Sequence, residues 1–137
     1  MIMTAEKKRN IYVLVLIVYL ALVGWLCFGD FSSAPTVTEN FLGIPTDKII
    51  HFLMFLPFPL ILAGIFNGKT SRPVNSLLII LAFFLAGCIL AAGTEIGQHL
   101  TGYRVADSSD FLADGLGLAV GSLLALIYDL KYKLQHD

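Results

Sequence analysis

The sequence predicts an all-α integral membrane bundle of four transmembrane helices with both termini cytoplasmic. Composition is the first reason: 57% of the 137 residues are hydrophobic, 14% are charged, and mean hydropathy is +0.81. A water-soluble domain does not fit those values. The second reason is that the apolar residues fall into four runs, each long enough for a hydrocarbon core of ~30 Å. The third is the segregation of basic residues to one side of those runs. Together the spans and their connectors use up the chain as a single transmembrane domain, 1–137.

Span one is predicted over 11–28, directly after Lys7, Lys8 and Arg9. Its apolar run exceeds the ~7 to 15 residues of a signal peptide, and Pro35 follows Ser33 and Ala34 where a cleavage point would lie, so the span is expected to be retained. Span two is predicted over 49–66. Pro57 and Pro59 lie midway along it, where each removes a backbone donor, so a kinked helix is expected. Spans three and four follow at 77–97 and 111–128. Cys27 and Cys88 both fall inside apolar runs and read as inert interior residues rather than a disulfide or metal pair.

Orientation follows from charge. Lys7, Lys8, Arg9, Lys69, Arg72, Lys131 and Lys133 fall on one side of a four-span arrangement, leaving only Lys48 and Arg104 of the nine basic residues on the other. The positive side is retained in the cytoplasm, which predicts a multi-pass protein of the cytoplasmic (inner) membrane. Trp25 and Tyr103 at outer span ends, and Tyr128 and Tyr132 at the inner end, suit interfacial anchors. Ser33→Cys, in a background lacking Cys27 and Cys88, is expected to react with an impermeant thiol reagent in intact cells, whereas Lys69→Cys is not. The reverse pattern inverts the topology.

Ionisable residues at span ends are the informative feature, because a charge near lipid is costly and faces a bundle interior or a wet cavity. Asp47 and His51, Glu95 and His99, and Asp110 and Asp114 are three pairs spaced four apart, each on one helical face. All three belong to span ends at the outer boundary. On span four, Asp110, Asp114, Gly117 and Gly121 form one stripe, whose Gly-x-x-x-Gly portion allows close helix packing; span three offers the small residues Cys88, Ala91 and Ala92 beside Glu95 as its expected partner. In the 98–110 connector, Thr101 and Gly102 read as a turn and Asp107, Ser108 and Ser109 as a helix N-cap. Arg104 has a five-donor group able to hold Glu95, Asp110 or a lipid phosphate.

Two blocks of these residues resemble the VanZ-like family of small bacterial membrane proteins. Asp47-Lys48-Ile49-Ile50-His51-Phe52 is similar to the family's Asp-Lys-x-x-His-Phe signature. Glu95 and Gln98, then Arg104, Asp107, Asp110, Asp114, Gly117 and Gly121, resemble its Glu-x-x-Gln, Arg, Asp and Gly-rich helix in the same order. Asp114 is the main departure, since many members carry asparagine there. The resemblance implies an association with glycopeptide (teicoplanin) resistance without remodelling of cell-wall precursors.

A net charge of −1 offers no basic surface for nucleic acid. The leading expectation is a non-enzymatic protein that binds or senses an envelope lipid or lipoglycopeptide at an outward-facing polar cluster of Asp47, Lys48, His51, Glu95, Gln98, Arg104, Asp107, Asp110 and Asp114, with Lys48 and Arg104 holding anionic groups. The alternative is a membrane-interface hydrolase or transferase on a lipid-linked substrate, with Glu95 or Asp110 as base and His51 or His99 as acid/base or metal ligand, since such a mixture of carboxylates and imidazoles can hold a divalent metal. No His-Glu-x-x-His or Gly-x-Ser-x-Gly motif supports it, and no cofactor, metal or catalytic set is assigned from spacing. A third reading is a small subunit whose glycine faces, Gly117 and Gly121 included, join a homo-oligomer or a larger membrane complex.

Overall fold

The computed structural model describes residues 4–30, 40–66, 73–102 and 107–134. Four of its helical segments are long and apolar enough to cross a bilayer, and the protein is an integral membrane bundle of four transmembrane helices. Helix α1, Ala5–Phe28, starts where the Thr4 hydroxyl accepts from the Lys7 N–H at 3.4 Å, satisfying one of the helix's free donors. A short hairpin follows, with β1 (Asn40–Phe41) antiparallel to β2 (Ile44–Pro45). Its turn has positive φ at both Leu42 and Gly43, the backbone of a two-residue turn that matches strand twist. Nothing in the hydropathy pattern foretells it.

Span two is divided into α2 (Thr46–Phe55) and α3 (Pro57–Phe66) at Leu56. The division falls where proline places it: Pro57 and Pro59 have no N–H to donate to the carbonyls of Leu53 and Phe55. Helix α4, Pro73–Thr101, opens on proline, whose fixed φ suits a first helical turn, and stops at Gly102, which has φ of 72° and so leaves the right-handed helix. Helix α5 spans Ser108–Leu134. Asp107 caps it, its Oδ1 accepting from the Ser109 N–H at 2.9 Å, as the sequence predicts.

Helix α5 is the centre of the bundle, lying against α2, α3 and α4, while α1 packs on α3 and more sparsely on α4. Its buried stripe includes Asp110, Ala113, Asp114, Gly117, Leu118, Gly121 and Ala125, so the predicted face of carboxylates and glycines does point inward. Its partner differs from expectation. A β-carbon on Gly117 would overlap the carbonyl oxygen of Phe52, and one on Gly121 that of Leu56, so the glycines receive the backbone of span two rather than of span three. Span three meets α5 a quarter-turn further round, where Leu118 occupies the space a side chain on Gly87 would need. The interior cluster joins all four spans through Val23, Cys27, Phe55, Phe58, Ala91 and Leu118. The cysteines form no disulfide.

Helices α2 and α5 both begin at the end of the bundle where α1 and α4 finish, so they run parallel. Contacts between them climb as a ladder: Lys48 meets Asp107 and Asp110, His51 meets Asp110 and Asp114, and then Phe52 and Leu56 meet Gly117 and Gly121. The contacts advance by three or four residues on α5, and on α2 they fall at positions 48, 51, 52 and 56, the spacing of one helical face. Close glycine contact therefore sets the separation at which the polar rungs above it can form.

Candidate functional site

Lys48 stands in the first turn of α2 and gathers three carboxylates. Its Nζ lies 3.0 Å from Asp47 Oδ2, 2.8 Å from Asp107 Oδ2, and in contact with Asp110 Oδ1. The Lys48 ammonium, with the Ser109 N–H, holds the Asp107 carboxyl well below the usual carboxylate range. This contact is thus fully present above the ordinary aspartate value of ~3.9 and is lost only as pH falls toward the lowered one.

One turn deeper, His51 is 2% exposed and Asp114 is fully buried. His51 Nδ1 lies 2.9 Å from Asp114 Oδ1, and His51 Nε2 lies 3.5 Å from Asp110 Oδ2. Both ring nitrogens therefore face a carboxylate. Glu95 reaches the same place from α4, bringing one ligand-capable atom each of His51, Glu95 and Asp114 within 4.8 Å of one another. Glu95 Oε1 and Asp114 Oδ2 are buried without a hydrogen-bond partner among the described residues, a costly state for a carboxylate oxygen away from water.

Gln98 is buried too, donating from Nε2 to the Cys27 carbonyl at 3.2 Å and so tying span three to span one beside the cluster. Of the nine residues expected to form the site, Lys48, Asp47, Asp107 and Asp110 meet at one level, and His51, Glu95 and Asp114 at the next, with Gln98 alongside. Arg104 lies outside the described residues. Among the described residues the cation on Asp110 is Lys48, which, with three carboxylates around it, bridges α2 and α5. His99 does not share the face of Glu95. The buried side of α4 at this end runs through Ala91, Thr94, Glu95 and Gln98, leaving His99 exposed.

Two features went unread in the sequence. Tyr19 donates its hydroxyl to the Met54 carbonyl at 2.8 Å, joining spans one and two just before the proline break; a tyrosine in mid-span, whose hydroxyl must find a partner, was the available signal. At the opposite end, Lys133 pairs with Asp129 at 2.9 Å and donates to Ser76, linking α5 to α4.

A family model described as VanZ/LLP1 matches residues 11–129. The chain belongs to the VanZ/LLP1 family. An uncharacterized protein of Schizosaccharomyces pombe is 26% identical over 114 residues, which cover 83% of this chain and 64% of that relative. The chain thus matches a little under two thirds of the length of the curated relative. No solved structure matches it.

In this VanZ/LLP1 protein a cavity lies apart from the described residues of the polar cluster. The cavity, of about 310 Å³, is lined chiefly by apolar and aromatic side chains such as Leu60, Ile80, Phe83 and Tyr128. It reaches Ser76 and Asp129, and none of the eight described cluster residues lines it. Its walls suit hydrocarbon, whereas the cluster, with His51, Glu95 and Asp114 in reach of one another, has the groups for proton transfer or cation binding.

Proposed function

We propose that this protein engages the headgroup of an envelope lipid or lipid-linked molecule at the polar cluster, within the cytoplasmic membrane and facing outward. The observation that carries the reading is the buried convergence of His51, Glu95 and Asp114 beneath the Lys48 hub. Such a group sits at the ends of three spans, the depth at which headgroups meet the bilayer core, and intramembrane ionisable residues mark functional pathways. Five carboxylates surround one lysine and one histidine among the described residues of the cluster. That balance favours an amine-bearing or cation-bridged headgroup over a bare anion. A contribution to glycopeptide resistance would follow from capture of a cell-wall lipid.

A second reading, hydrolysis or group transfer on the same molecule, is favoured by the His51–Asp114 pair, because a histidine oriented by a buried aspartate is the usual arrangement of a general base. Native mass spectrometry of gently extracted protein tests both. A lipid should co-purify with the parent and be depleted in His51→Ala, and conversion of that lipid over time would select the enzymatic reading. A parent carrying only randomly exchanged bulk lipid, equal in His51→Ala, overturns both.

A further inference from the structure

Two buried acids beside a histidine, on three separate helices, each keep one carboxylate oxygen without a hydrogen-bond partner among the described residues, and a positive charge between them would satisfy both. We propose that His51, Glu95 and Asp114 bind one divalent metal ion, which deepens the headgroup reading above by naming what would meet the ligand at that site. The first support is geometric. Their ligand atoms lie within 4.8 Å of one another, against about 3.4 Å in a tetrahedral shell with bonds near ~2.1 Å, a difference that side-chain rotation can close.

The second support is independent of spacing. Glu95 Oε1 and Asp114 Oδ2 are buried with no hydrogen-bond partner among the described residues, and a dication would neutralise both carboxylates. Lys48 does not serve them, because its ammonium is directed to Asp47, Asp107 and Asp110. The third is the setting of the histidine. Metal-bound imidazoles present their second nitrogen to a carboxylate, and here Nδ1 faces Asp114 while Nε2 faces Asp110. When Nδ1 joins Glu95 and Asp114 on the ion, Asp110 is left to hold the ring.

One imidazole with two carboxylates suits Zn²⁺ or Mn²⁺ better than Ca²⁺ or Mg²⁺, which prefer all-oxygen shells. Three protein ligands leave a position open, and a phosphate or hydroxyl oxygen of the headgroup would occupy it. The chain's acid excess at this end then becomes intelligible, since the cluster is built around a cation supplied from solution.

The test uses the full chain in detergent, stripped with EDTA and titrated with Zn²⁺ or Mn²⁺ alone. Calorimetry and elemental analysis should find one ion per chain for the parent and for Asp129→Asn at the opposite end. Asp110→Asn should weaken binding about 10- to 100-fold, and Glu95→Gln at least as much. Should Glu95→Gln fail to fold, Co²⁺ bound to the parent decides, since its spin-echo spectrum must show coupling to an imidazole nitrogen. Absence of saturable binding, of that coupling, or of any difference between the parent and Asp110→Asn overturns the site. A parent that retains lipid but takes up no metal removes this inference and leaves the headgroup reading standing. Metal uptake without lipid does the opposite.

Discussion

Gly121→Leu is expected to abolish the folded bundle or lower its stability by about 3 kcal/mol or more, at the top of the range for overpacked interiors. The obstacle is backbone, not a flexible side chain: any β-carbon at Gly121 meets the Leu56 carbonyl, and at Gly117 that of Phe52. Even Gly117→Ala and Gly121→Ala should lower the melting temperature in one detergent, although alanine favours a helix over glycine by ~1 kcal/mol. Gly115 supplies the contrast, because a β-carbon there meets nothing within 4 Å. Gly115→Ala should be neutral or stabilising. If all three alanine variants melt alike, α2 and α5 are not held at the separation described.

Lys48→Met should cost about 2 to 3 kcal/mol, somewhat below the roughly 3 to 5 kcal/mol typical when one member of a fully buried pair is removed. The discount reflects the side-chain exposure of Lys48, 19%, and of Asp110, 12%. Without the ammonium, Asp110 is left beside the buried Asp114 with His51 between them. A double-mutant cycle distributes the effect. Lys48→Met combined with Asp110→Asn should be clearly non-additive, whereas the cycle with Asp47→Asn, whose carboxylate is 43% exposed, should show a coupling of about 1 kcal/mol or less. Equal couplings would mean that the lysine is solvated like any surface group.

How far the fold could be read from the chain differs by level. Span positions were legible because bilayer thickness imposes them, and the kink because proline cannot donate. The ends of spans two, three and four were legible as a common polar level for the same reason. What spacing did not disclose was which helix each face meets. Periodicity reports the angle of a residue about its own axis, so Asp47 with His51 and Asp110 with Asp114 read as pairs along single helices, whereas the decisive contacts run across them, Lys48 to Asp110 and His51 to Asp114. The glycine stripe was oriented inward correctly and assigned the wrong neighbour, because a small-residue face fits either parallel or antiparallel backbone. His99 was misplaced by one step of the helix: Gln98, three residues from Glu95, shares the buried side instead.

The ladder between α2 and α5 also imposes an order on biogenesis. Lys48 and His51 belong to the second segment to leave the ribosome, but Asp107, Asp110 and Asp114 belong to the fourth. Until that last segment is inserted, Lys48 has Asp47 but neither Asp107 nor Asp110, and His51 has neither Asp110 nor Asp114. A nascent chain halted after α4 therefore lacks the carboxylates that α5 brings to the head of α2, and membrane quality control that surveys polar groups in the bilayer would distinguish it from the finished protein. Completion of the site and release from surveillance are then the same event.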